Sequence, residues 1–279
     1  MYGDTVAERT ILHIGAMKSA TTYLQGACEA NADALAEAGI HWLGARLNFE
    51  AVGDLLSDAP STGHWRRLRQ AVARHEGAAL VSNELMSIRG RAAARKIVRR
   101  LGTPVDVIIT ARDLARVVPS QWKTGQENHR PVAWTDFMAA LMADDHEQEA
   151  VRWFWRRQDL PAIVDRWAPL AANITVVTVP PPGTALEVVS DRFAEALGCD
   201  GTVLSRPSSK PPAGRVHPSL TDAERGWAHT RSTALVESLQ SRDVRVVGSL
   251  SDLVSAPAPL TVARQRDPNL SSVGLKTFG

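Results

Sequence analysis

The chain has 279 residues, of which 44% are hydrophobic and 22% are charged, and its formal net charge is +2. This composition is typical of globular proteins and argues against disorder and against a membrane protein; we expect residues 1–279 to form a single domain. A net charge so small argues against nucleic acid as a partner, although it leaves room for a local pocket that binds a small anion.

The first residues, the length of the apolar runs and the cysteines bear on the location of the protein and on metal binding. Residues 1–10 contain no apolar stretch resembling a signal peptide, and no later run reaches the ~20 apolar residues of a membrane-spanning helix. We therefore expect a cytoplasmic protein with no transmembrane segment. The two cysteines, Cys28 and Cys199, have no second cysteine or histidine at metal-ligand spacing, so neither a disulfide framework nor a zinc site is expected.

Strand-like and helix-like segments alternate along the chain. Four short apolar runs, at residues 10–14, 78–82, 105–110 and 174–179, predict buried parallel strands. Apolar residues at helical spacing predict helices at 21–38, 92–101, 134–142, 149–167, 187–197 and 221–240. Residues 205–219 are rich in proline, serine and lysine and predict a long loop, and little regular structure is expected after 255. The alternation predicts an α/β fold with a mainly parallel sheet flanked by helices.

The strongest chemical motif follows the first predicted strand. It reads Gly15-Ala16-Met17-Lys18-Ser19-Ala20-Thr21-Thr22 and leads into a predicted helix. Such a turn directs backbone N–H groups, hydroxyls and an ammonium to one point beside a helix N-terminus, which is how proteins bind phosphate or sulfate. It is not a Walker A loop, in which a glycine directly precedes the lysine. The structural alternative is an ordinary turn in which serine and threonine cap the helix.

A second motif surrounds the end of the third predicted strand. Arg112 follows this strand and Ser120 comes eight residues later. A guanidinium at the carboxyl end of a parallel strand is well placed to form bidentate hydrogen bonds with a phosphate. Pro119 is typical of a first helical turn, so we expect the N–H of Ser120 to be free for the same phosphate. The alternative is a structural ion pair between Arg112 and Asp113.

Together the two motifs resemble the sulfotransferases that use 3′-phosphoadenosine 5′-phosphosulfate (PAPS), in particular their bacterial branch. The Gly-x-x-Lys-Ser-Ala-Thr-Thr-x-Leu order is similar to their 5′-phosphosulfate loop, with Ala20 where the family more often has glycine. Arg112 and Ser120 match their 3′-phosphate element. Segments 153–160, 177–183 and 192–198 add to the likeness, which covers about residues 10–200 and leaves the C-terminal helix and tail, 201–279, loosely matched.

The resemblance implies a three-layer, P-loop-like sulfotransferase fold and a metal-independent enzyme. The reaction would move a sulfuryl group from PAPS to a hydroxyl or amine of a small-molecule, glycan or lipid acceptor and release 3′,5′-adenosine bisphosphate. Lys18 would stabilise charge during transfer. The co-substrate would be bound by Lys18, Ser19, Ala20, Thr21, Thr22, Arg112 and Ser120. Neither the acceptor's identity nor the oligomeric state follows from the sequence.

The acceptor must lose a proton, so a general base is also expected. Glu84 is the preferred candidate because it follows a buried strand and should lie at the same sheet edge as Lys18 and Arg112. Its structural alternative is an acid that stabilises a helix dipole. His41 and Glu50 remain candidates, whereas His13 lies inside a strand and is expected to be a core residue.

Two rival functions remain open. A small-molecule or nucleotide kinase also uses a strand, loop and helix, but needs Mg²⁺ and usually a carboxylate ligand where Arg112 stands. A non-catalytic PAPS- or nucleotide-binding protein is suggested by Ala20 and by the unassigned base.

Several other features carry weaker functional hypotheses. The arginines at 91, 95 and 99 predict a solvated helix face, and residues 144–147 predict an exposed loop rather than a metal site. Trp153 and Trp155 either shape an acceptor pocket or pack in the core, the second being favoured. Lys210 and Arg215 are candidates for nucleotide contacts, without a spacing argument.

Overall fold

The computed structural model describes residues 7–57, 60–128, 131–206 and 218–255. Six strands form one sheet in the order β2-β3-β1-β4-β5-β6, and every neighbouring pair is parallel. The strands are β1 (Arg9–His13), β2 (Ile40–Trp42), β3 (Ala78–Ser82), β4 (Val105–Ala111), β5 (Asn173–Thr178) and β6 (Arg245–Val247).

Helices cover both faces of this sheet. They are α1 (Thr21–Ala30), α2 (Ala32–Glu37), α3 (Ala45–Leu56), α4 (His64–Ala73), α5 (Arg91–Leu101), α6 (Leu114–Glu127), α7 (Trp134–Met142), α8 (Glu149–Gln158), α9 (Leu160–Trp167), α10 (Glu187–Leu197) and α11 (Asp222–Gln240). None of the helices in the described ranges is both long and apolar enough to span a membrane.

Alternating strand residues separate the core into two layers. Leu12 and Val107 face a cluster formed with α3, α4, α5 and α9. Ile11 and Ile108 face a second cluster, formed with α1 and α10. Because β1, β3, β4 and β5 are buried on both faces, each of these four strands is a continuous apolar run, and for this reason the sequence predicts them. The predicted α/β fold with a parallel sheet between helical layers is confirmed.

Two predicted helices are each divided in two. The helix predicted at 21–38 breaks at Asn31, whose backbone is not helical (φ −123°, ψ 27°). The helix predicted at 149–167 breaks at Asp159, which accepts a hydrogen bond from the N–H of Ala162 at 3.0 Å and caps α9. Pro161 in the first turn of α9 has no N–H to continue the α8 ladder. Strands β2 and β6 and helices α3 and α4 are not among the predicted elements, and α6 was predicted only as a helix that begins at Pro119.

The strand order creates a crevice at the carboxyl edge of the sheet. The chain leaves β1 toward β2 on one side, and it leaves β4 toward β5 on the other side. The connections after β1 and β4 therefore diverge, and α/β proteins bind ligands at such a switch point. Both anion motifs begin at these two strand ends.

Candidate active site

The loop after β1 is anchored on β4. Ile14 N–H donates to the Ile108 carbonyl at 3.0 Å, and Ala16 N–H donates to the Thr110 carbonyl at 2.6 Å. Gly15 has φ +91°, and a Cβ atom there would lie 3.1 Å from the Cβ of Glu84. Glycine is therefore required at residue 15 both by the backbone conformation and by the close approach of Glu84.

The next residues form a concave set of backbone donors. Lys18 (φ 66°) and Ala20 (φ 65°) both have left-handed backbones, and Ala20 is the N-cap of α1. Within the described ranges, the N–H groups of Ser19, Ala20, Thr21 and Thr22 donate to no backbone oxygen, and no side chain caps α1. Left-handed residues beside a helix N-terminus turn such donors toward one point, which is suited to an anion. The side-chain cap on α1 that the alternative predicted is not found in the described part of the chain.

The loop side chains differ in exposure. The Ser19 hydroxyl is buried and has no partner in the described part of the chain, whereas Thr22 is exposed. Thr21 is buried, and its hydroxyl faces Glu84. Backbone N–H groups and Lys18, rather than the Ser19 hydroxyl, thus form the accessible part of this loop.

Side chains from distant parts of the chain bind two carbonyls of this loop. Gln158, at the end of α8, donates to the Met17 carbonyl at 2.9 Å, and Arg112 donates to the Lys18 carbonyl at 3.5 Å. These two contacts restrain the orientation of the neighbouring peptide groups. The sequence reading did not identify Gln158, because this contact joins residues 141 positions apart.

Arg112 is a partly buried cation that makes one long side-chain hydrogen bond within the described residues. Asp113 does not pair with it: Asp113 caps α6 through the Arg116 N–H at 3.0 Å and forms its ion pair with the Arg116 side chain. Arg112 has no ion pair among the described residues, and its Nε has no partner. Burial, and next the charge of Arg116, lower the pKa of Arg112 to about 10. The nearby charge of Asp113 acts in the opposite direction and raises this pKa. Desolvation of a cation that forms no ion pair is unfavourable, so an anionic ligand would stabilise this arrangement.

A cavity of about 270 Å³ adjoins Arg112. Its lining includes Ala20, Tyr23, Arg112, Arg116 and the segment 179–186. Arg116 donates to the carbonyls of Val179 and Pro180 at 3.3 and 2.8 Å, which holds this segment beside the arginines. The cavity therefore offers apolar surface next to the anion loop, and the role of Arg116 was not evident from its sequence position.

The expectation for the backbone of Ser120 is wrong. Helix α6 begins at Leu114, so Pro119 lies in its second turn and the N–H of Ser120 is not at the helix N-terminus. The capping side chain of Asp113, six residues before Pro119, sets this start. No hydrogen bond joins Ser120 to Arg112 within the described residues, and a phosphate contact by its hydroxyl stays a prediction.

Glu84 lies against the anion loop. It opens a short 3₁₀ turn, Glu84–Met86, directly after β3, and Asn83 caps that turn. Burial raises the pKa of Glu84, while the charge of Lys18, the nearby Thr21 hydroxyl and the charge of Arg157 oppose that rise. Glu84 is thus a desolvated carboxyl beside the predicted reaction centre, as a general base requires.

The other candidate bases lie in different surroundings. His41 is on β2, at the sheet edge, and stacks on His75 with ring centroids 3.9 Å apart. Glu50 is on α3 and accepts a hydrogen bond from Arg46 at 2.8 Å, which lowers its pKa. His13 is buried with both ring nitrogens hydrogen bonded, to Ser82 and Thr110, and burial lowers its pKa to about 3. The prediction of a core histidine is confirmed.

The structure also tests most of the weaker hypotheses about single residues. Arginines 91, 95 and 99 are exposed, and residues 144–147 lie in a largely exposed turn, as predicted. Within the described ranges, no group of three histidine, cysteine, aspartate or glutamate side chains is placed to hold a metal ion. Trp155 is buried and packs against Trp227 and Arg231 of α11, whereas Trp153 lines a cavity. Lys210 and Arg215 lie outside the described residues.

Comparisons with known proteins add little to this geometry. No family model matches the sequence, and no curated protein matches it. A search of solved structures matches a sulfotransferase from Alicyclobacillus acidocaldarius with 14% identity and a TM-score of 0.49, over 85% of this chain and 96% of that one. Likeness at this level identifies neither a family nor an activity, so a function must be argued from the residues of this chain.

Proposed function

We propose that the protein is a sulfotransferase that uses PAPS as sulfuryl donor. The observation that carries this proposal is the partly buried Arg112 guanidinium, which forms no ion pair within the described residues and donates to the loop carbonyl of Lys18. Two separate anion-binding elements at one switch point suit a ligand with anionic groups at two positions. A nucleotide with a 3′-phosphate and a 5′-phosphosulfate is such a ligand.

In this proposal the donor spans the crevice between β1 and β4. The 5′-phosphosulfate would bind the N–H groups of residues 19–22 and the Lys18 ammonium, and the 3′-phosphate would bind Arg112. The nucleoside would occupy the cavity lined by Tyr23 and segment 179–186. Ser120 is proposed as a further ligand of the 3′-phosphate through its hydroxyl.

The reaction proposed is an in-line displacement at sulfur. The acceptor oxygen or nitrogen forms a bond to sulfur while the bond from sulfur to the bridging phosphate oxygen breaks, and 3′,5′-adenosine bisphosphate leaves. The acceptor proton passes to the Glu84 carboxylate. Lys18 and the loop N–H groups stabilise the charge that develops on the leaving oxygen, which is the main catalytic contribution expected here.

The proposal is tested by comparing two nucleotides. Calorimetry should show that 3′,5′-adenosine bisphosphate binds more tightly than 5′-AMP, and Arg112→Ala should remove most of the difference. A hydrogen bond to a charged group contributes ~1.5–3 kcal/mol, or about a 10- to 150-fold preference. Arg95→Ala, which removes an exposed arginine on α5, is the matched control. Equal affinities in the unmutated protein would refute the assignment of Arg112.

Turnover separates the rival functions. Incubation with PAPS labelled in its sulfuryl group, with and without EDTA, should give transfer to an acceptor that survives chelation. Loss of transfer on chelation and its return with Mg²⁺ would favour a kinase-like enzyme. Tight binding of 3′,5′-adenosine bisphosphate without transfer to any acceptor class would favour a non-catalytic binding protein.

A further inference from the structure

Basic residues are concentrated in one stretch of the chain. Residues 64–101 contain ten arginine and lysine residues and two acidic residues, a net charge of +8, whereas the whole chain carries +2. The remainder of the chain therefore carries −6. So strong an asymmetry of charge within one chain indicates that the basic stretch faces a partner of negative charge.

Eight of these ten cations lie on two neighbouring helices and point to solvent. Neither α4 nor α5 contains an acidic residue. Apolar residues of both helices, among them Leu68 and Ile97, are buried in one core cluster against the sheet. All eight cations are exposed. We call them the basic face: three from α4 (Arg66, Arg67, Arg69) and the five lysine and arginine residues of α5 (91, 95, 96, 99 and 100).

Helix α3 continues the surface formed by α4 and α5. The Lys96 ammonium, on α5, donates to the Leu55 carbonyl of α3 at 3.0 Å. Asp54 of α3 accepts a hydrogen bond from the Trp65 N–H of α4 at 3.1 Å. Because these contacts join all three helices, and because each helix buries its apolar side in the same core cluster, their outer sides form one surface.

The basic face has no counter-ions of its own. Among the residues that the structure describes, none of its eight cations forms an ion pair. Carboxylates of the adjoining helices bind other arginines: Glu50 of α3 accepts from Arg46 at 2.8 Å, and Asp165 of α9 pairs with Arg242 at 2.7 Å. The charge of the basic face is therefore available to an external anion.

Helix stability does not account for this arrangement. Arg91, Arg95 and Arg99 follow one another at a spacing of four residues, and like charges at this spacing repel one another on a helix surface. Arg91 is also the first residue of α5, where the positive end of the helix dipole disfavours a cation. A negatively charged surface opposite the helix would offset both effects.

Phe49 adds an apolar group beside the basic face. Its side chain is on α3 and is 64% exposed, the largest exposed fraction of any large hydrophobic residue in the described ranges. The carboxylate of the next residue, Glu50, lies 3.6 Å from Nε2 of His64, the first residue of α4. Cations together with an exposed aromatic ring are typical of proteins that bind the interface of a lipid bilayer.

We propose that the basic face and Phe49 bind the protein to the surface of an anionic membrane. The cations contact lipid phosphates, and the Phe49 ring enters the boundary between headgroups and acyl chains. A bilayer contacts only this side of the molecule, and the negative charges elsewhere are screened over ~10 Å. A long nucleic acid would extend past the basic face toward those charges. Trp65, the tryptophan of α4, is 5% exposed and cannot stack on a base.

The test is cosedimentation of the full chain with vesicles. The chain should bind vesicles of phosphatidylcholine and phosphatidylglycerol, should bind phosphatidylcholine alone much less, and should dissociate as salt is added. Arg95→Gln with Arg99→Gln should weaken binding by about 25-fold, because each cation near an anionic surface contributes about 5-fold. Phe49→Ser should weaken it by about 5- to 10-fold, because less apolar surface is buried.

Each variant has a matched control. Arg9→Gln with Arg245→Gln removes the same charge on the other face of the sheet, where Arg245 pairs with Glu195 of α10 and Arg9 lies beside Gly198. Met142→Ser removes an exposed apolar side chain at the end of α7. Both should leave vesicle binding nearly unchanged. The thermal midpoint of Arg95→Gln with Arg99→Gln should not fall, because a repulsive pair is removed.

The outcomes decide between a membrane and other anionic partners. Loss of binding in the basic-face and Phe49 variants, with both controls unchanged, supports the inference. Absence of binding to anionic vesicles overturns it, as does an equal loss in the variant of Arg9 and Arg245, which would show an effect of net charge alone. If duplex DNA displaces the vesicles and Phe49→Ser has no effect, the basic face is a surface for polyanions and the membrane is wrong. Neither result bears on the transfer reaction, which is assayed without vesicles.

Discussion

Ala20 has a backbone conformation that its methyl group makes sterically unfavourable. Its φ of 65° and ψ of 10° lie in the left-handed region, and it is the N-cap of α1. For a residue with a Cβ atom, this backbone conformation is ~1–2 kcal/mol less favourable than the right-handed one, whereas glycine adopts it without a steric cost. Glycine in turn increases the entropy of the unfolded chain, at a cost of ~0.4–1 kcal/mol. Ala20→Gly should therefore raise the free energy of unfolding by about 0.5–1 kcal/mol.

Urea denaturation is the assay. The midpoint should rise with an unchanged slope, and the melting temperature should rise by up to about 2–4 °C for a chain of this size. Ala92→Gly is the matched control: Ala92 is exposed in the first turn of α5, and its φ is not positive, so this variant should lose stability, by up to ~1 kcal/mol. If Ala20→Gly loses as much as the control, the left-handed backbone at residue 20 is refuted.

The other predictions concern charge. Glu84→Gln should lower kcat by ~10²–10⁴ with little change in nucleotide affinity. It should not lower stability at pH 7, because the raised pKa means that the folded protein disfavours the carboxylate; loss of kcat in His41→Ala or Glu50→Gln instead would show that the base is misassigned. In the unmutated protein, kcat/KM should fall as pH falls through the raised Glu84 pKa, and a pH-independent profile would argue against this base. Since the pKa of His13 is lowered from 6.5 to about 3, the unfolded chain takes up a proton below pH 6.5 that the folded chain does not. Unfolding free energy should therefore fall by on the order of 3 kcal/mol between pH 7 and 4, and His13→Gln should show a flatter dependence; an equal slope would exclude His13 as the cause.

Much of the fold could be predicted from patterns within short segments of the sequence. The four long strands were predicted to within one or two residues, because burial on both faces makes each a continuous apolar run. Strands β2 and β6 have three residues each, too few to show a pattern, and they exist because a neighbouring strand offers hydrogen-bond partners. The division of residues 149–167 was overlooked although Asp159 and Pro161 mark it, because the apolar spacing continues across the break. The single-domain assignment and the cytoplasmic location stay predictions.

At the candidate site, the sequence alone determined which residues stand at the strand ends: the loop of residues 15–22, Glu84 and Arg112. Only the tertiary structure decided how they are paired. Asp113 binds Arg116 instead of Arg112, because capping α6 directs its carboxylate toward the first helical turn. Gln158 reaches the loop from the end of α8, more than seventy residues farther along the chain than Glu84. Helix caps and hydrophobic periodicity depend on residues that are close together in the sequence, so the sequence predicts them. Contacts between distant segments depend on how the helices pack across the sheet, which no short segment determines.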